Sequence, residues 1–163
     1  KPGEANGEFT FNIVNSIAEF TKEFGFYDPT GGVTPVFKLN ATNSVLTTGT
    51  KLYLTASSKG KVDNSTVIIG SYLRNSGEVE LKNGSVLSGA TIQFGDSAGH
   101  DGKTVVDASK FTITSGNSAG HAFDGKGTGS ITAQNGATVY VEYYKDLTIT
   151  TDATSTFTGT EVQ

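Results

Sequence analysis

Apolar and polar residues alternate one by one along most of this chain. Phe9, Phe11 and Ile13 are interleaved with Thr10 and Asn12, Leu52 and Leu54 with Lys51 and Tyr53, and Ile131 and Ala133 with Thr132. A period of two places successive side chains on opposite faces of an extended strand, whereas a helix buries a stripe of period 3.6. The alternation predicts strands at Phe9 to Val14, Val36 to Leu39, Lys51 to Ala56, Thr66 to Ile69, Val79 to Leu81, Thr91 to Phe94, Thr104 to Val106 and Phe111 to Thr114. Asn83-Gly84 and Asn135-Gly136 stand between further alternating runs. Asn-Gly tolerates positive φ at both positions, so each reads as a two-residue hairpin turn. One segment competes with this pattern. Ser16-Ile17-Ala18-Glu19 forms a capping box, and Ile17, Phe20 and Phe24 share a helical face before Gly25, which predicts a short helical turn; the alternative is a strand, since Phe20, Lys22, Phe24 and Phe26 also alternate, ending at the turn Asp28-Pro29-Thr30-Gly31-Gly32.

Composition narrows the function. With 163 residues the chain suits one domain with a real core, and it contains no Cys, Met or Trp. Only 17% of residues are charged; Thr, Ser, Asn and 21 Gly supply the polarity, as in extracellular β-proteins. A net charge of -4 with scattered lysines forms no basic stripe, which argues against nucleic acid as a partner. No apolar run approaches the roughly 20 residues that a membrane span requires. These features predict an exported protein with no membrane span. The sequons Asn40-Ala41-Thr42, Asn64-Ser65-Thr66 and Asn83-Gly84-Ser85 are what an Asn- and Thr-rich chain produces by chance.

A six-residue near-repeat, Gly95-Asp96-Ser97-Ala98-Gly99-His100 and Gly116-Asn117-Ser118-Ala119-Gly120-His121, recurs 21 residues apart. That spacing suits a coil of a short β-solenoid, the alternative architecture for this chain. A solenoid needs about three or more stacked units, and no comparable unit is legible before residue 60. Both copies match the five-residue serine-hydrolase elbow. The elbow, however, needs a strand-to-helix turn and a base delivered from elsewhere in the chain. Here no helix follows, and each histidine stands three residues after its serine, so neither Ser97 nor Ser118 is expected to be a nucleophile. His100 and His121, with Asp96, Asp101 and Asp124, lack the ligand spacings of zinc or calcium sites. The expectation is a protein that is not an enzyme and takes no metal or cofactor. Tyr72, Tyr140 and Tyr144 alternate with apolar neighbours and are expected to point outward as receptor contacts, for a host glycan or protein.

The end of the chain alternates over an unusual length. Leu147, Ile149, Ala153 and Phe157 are in phase, and every even position from 148 to 158 is Thr or Asp, predicting a single strand of about eleven residues.

Several stretches together carry a resemblance: Asn6-Gly7 before an alternating strand, Thr48-Gly49-Thr50-Lys51-Leu52-Tyr53-Leu54-Thr55, Ile68-Ile69-Gly70, and Val139-Tyr140-Val141-Glu142-Tyr143-Tyr144. In these the chain resembles the chaperone-usher fimbrial (pilus) subunits, and within them the cysteine-free branch whose main shaft protein is also the adhesin. The resemblance implies an immunoglobulin-like β-sandwich completed by a donor strand. It implies partners in other copies of the chain or related fimbrial subunits, a periplasmic chaperone and an outer-membrane usher, and a place on the cell surface. Residues 1–144 would be the sandwich and 145–163 a C-terminal extension. Leu147, Ile149, Ala153 and Phe157 would then fill the groove as a donor strand, with Phe9, Phe11 and Ile13 as the competing N-terminal donor. A secreted adhesin module, phage fibre or flagellin-like outer domain is the other functional expectation.

Overall fold

The computed structural model describes residues 7–25, 36–94, 101–115 and 128–163. Both copies of the six-residue repeat, with Ser97, Ser118, His100 and His121, lie outside the described residues, as does the turn expected at 28–32. In the first circuit of the chain, β1 (Glu8–Val14), β2 (Ile17–Phe20) and β3 (Phe24–Gly25) each open a different sheet. The next circuits add β4 (Val36–Thr42), β5 (Val45–Thr48) and β6 (Lys51–Leu54), then β7 (Lys59–Asp63), β8 (Thr66–Ile69) and β9 (Tyr72–Asn75), then β10 (Glu78–Lys82), β11 (Val86–Gly89) and β12 (Thr91–Phe94). Later circuits contribute β13 (Gly102–Asp107) with β14 (Lys110–Ile113), β15 (Gly129–Gln134) with β16 (Thr138–Tyr144), and β17 (Leu147–Thr151) with β18 (Thr156–Glu161).

Every strand pairs with its counterpart one circuit away, and every pairing is parallel. Sheet A runs β1-β4-β7-β10-β13-β15-β17, sheet B runs β2-β5-β8-β11-β14-β16-β18, and sheet C runs β3-β6-β9-β12. A chain that lays one strand on each sheet per turn is a parallel β-solenoid. Its core consists of columns of like residues, one per coil. Leu46, Val67, Leu87, Phe111 and Val139 stack inside sheet B, and Leu52, Leu73 and Ile92 inside sheet C; all are essentially inaccessible to water. The alternation legible in the sequence is therefore the in-out alternation of each strand.

The corner between sheets A and B explains how the chain turns so sharply so often. Asn15, Asn43, Asn64, Asn83 and Asn135 occupy it with φ between 44° and 58°, the left-handed region that Asn tolerates best after Gly. Their side chains form a ladder between coils: Asn43 Nδ2 donates to Asn15 Oδ1 (3.2 Å), Asn64 to Asn43 (2.8 Å), Asn83 to Asp63 (2.7 Å) and Asn135 to Asp107 (2.7 Å). Just inside it runs a second ladder. The amides of Ser16, Ser44, Ser65 and Ser85 each donate to the serine hydroxyl of the next coil, at Ser44, Ser65, Ser85 and Ser109, over 2.9–3.1 Å. The amide of Ala137 donates likewise to Ser155 at 3.1 Å. Most of these hydroxyls in turn donate to the carbonyl two residues back, so that polar groups buried at a bend remain paired.

Three expectations are corrected. The chain is all-β as expected, but its sheets are parallel, and an immunoglobulin-like sandwich needs antiparallel ones. The Asn-Gly pairs do adopt positive φ, at Asn83, Gly84, Asn135 and Gly136, yet they make no hairpins. The strands on either side of each, β10 with β11 and β15 with β16, lie in different sheets, because a third corner residue, Ser85 or Ala137, carries the chain round. The stretch 16–24 is not helical. Ser16 Oγ bonds back to the Val14 carbonyl at 2.7 Å instead of capping a helix, and Ala18, Phe20 and Phe24 turn into the core from β2 and β3.

The tail also differs from the single strand expected. Asp152 accepts the Thr154 amide (3.0 Å) and the Asn135 amide (2.6 Å), which bends the chain between β17 and β18. Leu147, Ile149 and Phe157 are half-buried members of the last coil, while Ala153 is exposed in the bend. Residues 145–163 carry β17 and β18, which pair in register with β15 and β16. At the other end, Phe11 and Ile13 point into the core from β1, and Phe9, on the same parity, remains 51% exposed.

Candidate functional site

Outward residues on the three sheets differ in chemistry. On sheet A they form a charged face, with Lys59, Glu78 and Lys103 in one register row and Lys61 beside Glu80 in the next. On sheet B they are mostly small, β-branched and uncharged, with Val45, Thr66 and Val86 in one row and Thr47, Ile68 and Ser88 in another. Sheet C gathers aromatic and cationic groups. Lys51 pairs in register with Tyr72, which pairs with Thr91; Tyr53 pairs with Arg74, which pairs with Gln93.

Strand alternation builds this cluster. In β6 the inward Leu52 and Leu54 set Lys51 and Tyr53 on the opposite parity, where Tyr53 is nonetheless buried at 5% exposure, and in β9 the inward Leu73 and Asn75 set Tyr72 and Arg74, both half-buried, on that same parity. The two tyrosine rings meet edge-to-face at 5.8 Å between centroids, and their hydroxyls are 3.1 Å apart. The Lys51 ammonium lies over both rings, 5.0 Å from Tyr72 and 5.9 Å from Tyr53. Hydrogen bonding to Tyr53 and the field of Tyr72 hold the Lys51 pKa above its usual value. Burial, followed by the bond to Tyr72, raises the Tyr53 phenol above its own. At neutral pH the cluster is a fixed cation beside the protonated Tyr53 phenol. Lys51 and the half-buried Tyr72 are its accessible groups, and they suit a ligand carrying hydroxyl or carboxylate groups.

The expected receptor tyrosines do not converge. Tyr72 stands half-buried in this cluster, and Tyr140 is 36% exposed on the outer face of sheet B. Tyr144 packs against Phe157 at 5.3 Å, edge-on, in the last coil. The sequence reading passed over Lys51, Tyr53 and Arg74. The available signal was parity, since Lys51-Leu52-Tyr53-Leu54 and Tyr72-Leu73-Arg74 each put apolar residues on one face and aromatic or cationic residues on the other. Shallow hollows lie along the corners, one between sheets A and B lined by Asn43, Ser44, Asn64 and Ser65, and one where sheet C passes to sheet A lined by Ser57, Lys59, Glu78 and Lys103. Among the described residues, no group of three or more His, Cys, Asp or Glu is placed to hold a metal ion. No helix among them is long and apolar enough to cross a membrane.

No family model matches the chain, and comparison with curated proteins and with solved structures also returns no match.

Proposed function

We propose that the chain is a non-catalytic binding module displayed outside the cell, a stiff β-solenoid that offers Lys51 and Tyr72 of sheet C, backed by the buried Tyr53, to a host glycan or protein receptor. One observation carries this reading. Two coils with no local sequence similarity place a lysine and two tyrosines in contact on the same outer face, with the hydroxyls bonded and the ammonium over both rings. Tyr and Arg are the residues most enriched where binding energy concentrates, because they carry large area and polar tips at low entropic cost. Composition supports an exported setting: few charges, abundant Thr, Ser and Asn, and no cysteine. A ladder-cornered solenoid adds stiffness, and a stiff scaffold keeps the entropic cost of binding low.

The test is a panel of immobilised glycans, neutral and carboxylate-bearing, probed with the wild-type chain and with Tyr72→Ala and Lys51→Ala. The expected outcome is retention of a subset of glycans, lost by about tenfold or more in both variants, which corresponds to removal of a residue worth more than 1 kcal/mol at an interface. Binding that both variants leave unchanged would move the receptor surface elsewhere.

A further inference from the structure

Where sheet C passes to sheet A, three successive coils leave a hollow of about 390 Å³, within the range of small-ligand sites. Ser57 and Lys59 come from the first of these coils, Ser76, Gly77 and Glu78 from the second, and Asp101 and Lys103 from the third. Strands β7, β10 and β13 put Lys59, Glu78 and Lys103 in one register row, neighbouring strands being about 4.8 Å apart, so that cation, carboxylate and cation alternate across it. None of the three charges is engaged within the described chain. The ion pairs on sheet A among the described residues are Lys38–Glu8 and Lys82–Glu80, and Lys59, Glu78 and Lys103 make none. Asp101 has a partner, the Thr128 amide at 3.0 Å.

The wall holds a further unused group. Ser76 is 3% exposed, and its buried hydroxyl has no hydrogen-bond partner. Groups beside it are paired: the Ser76 amide donates to the Leu54 carbonyl at 2.8 Å, the Gly77 amide to Asn75 Oδ1 at 3.1 Å, and the Ser58 hydroxyl is bonded to that of Thr55 at 2.7 Å. An unpaired buried hydroxyl costs stability, and at a corner whose neighbouring groups are paired it marks a place where a further polar group completes the bonding.

The chemistry of the row selects that group. Among the described residues two lysines and two carboxylates line the hollow, so their charges cancel and no net field draws in an anion or a cation. A sugar hydroxyl both donates and accepts. Set between Lys59 and Glu78, or between Glu78 and Lys103, it accepts from the ammonium and donates to the carboxylate, and such charge-assisted bonds are the stronger kind. The described lining includes no aromatic side chain, so a ring is held by its hydroxyl edge and not by stacking on its face. We infer that this corner is a second binding site, separate from sheet C, which takes a neutral saccharide by hydroxyls on neighbouring ring carbons.

Amide chemical shifts of the full chain, followed by NMR during titration with the methyl glycosides of glucose, galactose and mannose, with methyl glucuronide and with glycine, test this. At least one neutral glycoside is expected to shift the amides of Lys59, Gly77, Glu78 and Lys103 saturably at about millimolar concentration, as suits a small ligand in a shallow site. The glucuronide is expected to bind no more tightly, and zwitterionic glycine not to bind. Glu78→Gln, which keeps the size and removes the charge, is expected to weaken the glycoside about fivefold or more. Ser76→Ala is expected to weaken it about threefold while the melting temperature holds or rises, because the hydroxyl it removes is unpaired in the free chain. No saturable shift up to about 50 mM of any glycoside, shifts that gather instead at Lys51 and Tyr72, tighter binding of the glucuronide or of glycine, or an affinity that Glu78→Gln and Ser76→Ala both leave unchanged would overturn the inference.

Discussion

The amide nitrogen of Ser44 donates to the hydroxyl of Ser65 at 2.9 Å, and that hydroxyl donates in turn to the carbonyl of Asp63 at 2.7 Å. One serine thereby satisfies a buried donor of the previous coil and a carbonyl of its own, at a bend where no sheet partner is available. Ser65→Ala would leave the Ser44 amide buried without an acceptor, and its cost is expected to be about 1–3 kcal/mol. Ser16→Ala, where no amide among the described residues donates to the hydroxyl, is expected to cost under about 1 kcal/mol. Urea denaturation of the two variants checks the ordering, and equal losses would contradict the ladder's role.

Two positions depart from the corner pattern and point to stabilising changes. Ala108 stands at φ 46°, where its Cβ is strained and it has no side-chain amide for the outer ladder. Ala137 stands where a serine would accept the Ser109 amide. Ala108→Asn and Ala137→Ser are each expected to raise stability by about 0.5–1 kcal/mol. Thermal melts decide the point, and a lower melting temperature for both would mean that the packing of these corners tolerates nothing larger than alanine.

The strands were legible because in-out alternation is a local property of an extended chain; Thr66 to Ile69 and Thr91 to Phe94 have the limits that alternation assigns them. The direction of pairing was not legible, since alternation is the same for a hairpin and for a coil. The decisive signal was the recurring Asn-Ser corner at Asn15-Ser16, Asn43-Ser44 and Asn64-Ser65, with Asn83-Gly84-Ser85 as a longer form. Irregular spacing hides it: successive steps of the serine ladder span 28, 21, 20 and 24 residues, and the step from Ala137 to Ser155 spans 18. Corner geometry fixes the stack, whereas the length of chain between corners is free to vary, so a search for a fixed period sees only the longer, more similar loops. Tyr72 was found as a surface tyrosine by parity. Its partners Lys51 and Tyr53 were not, because the 19-residue step that brings Tyr53 beside Tyr72 is set by those same corners.

Position in the stack should govern the cost of a buried charge. Ile131 is completely buried between coils on both sides, and Ile149, its register partner, is half-buried in the terminal coil. In a solenoid each coil leans only on its neighbours, so damage at an end frays that end. Ile131→Asp is expected to abolish folding, because an unpaired buried carboxylate costs several kcal/mol. Ile149→Asp is expected to loosen β17 and β18 alone, seen as lost amide protection from 147 to 161 with the central coils unchanged, and Thr148→Asp, on the exposed face, to be nearly silent. Global unfolding by Ile149→Asp would show that the last coil is integral to the whole stack.

The same terminal coil should carry an acid sensitivity centred on Asp152. Its carboxylate accepts the backbone amide of Asn135 first of all, together with hydrogen bonds from Ser155 and Thr154, and these hold its pKa far below the ordinary carboxylate value. Asp107, which accepts from Asn135 and Gln134, is lowered in the same sense. A carboxyl group whose pKa is depressed by folding binds its proton more readily in the unfolded chain. It therefore adds stability that is fully present above the unfolded value, about 3.9, and is lost as the pH falls through the folded value. The bend at 152–155 is expected to be intact from neutral pH down to about pH 5, and to open progressively below about pH 4, before the central coils do. Amide exchange of Asn135 and Thr154, followed from pH 6 to pH 2.5, measures this opening. Asp152→Asn removes the titrating group, and the bend should then be weakened at neutral pH and show a shallower response to acid. An acid response as steep in Asp152→Asn as in the parent chain would assign the sensitivity to other carboxylates.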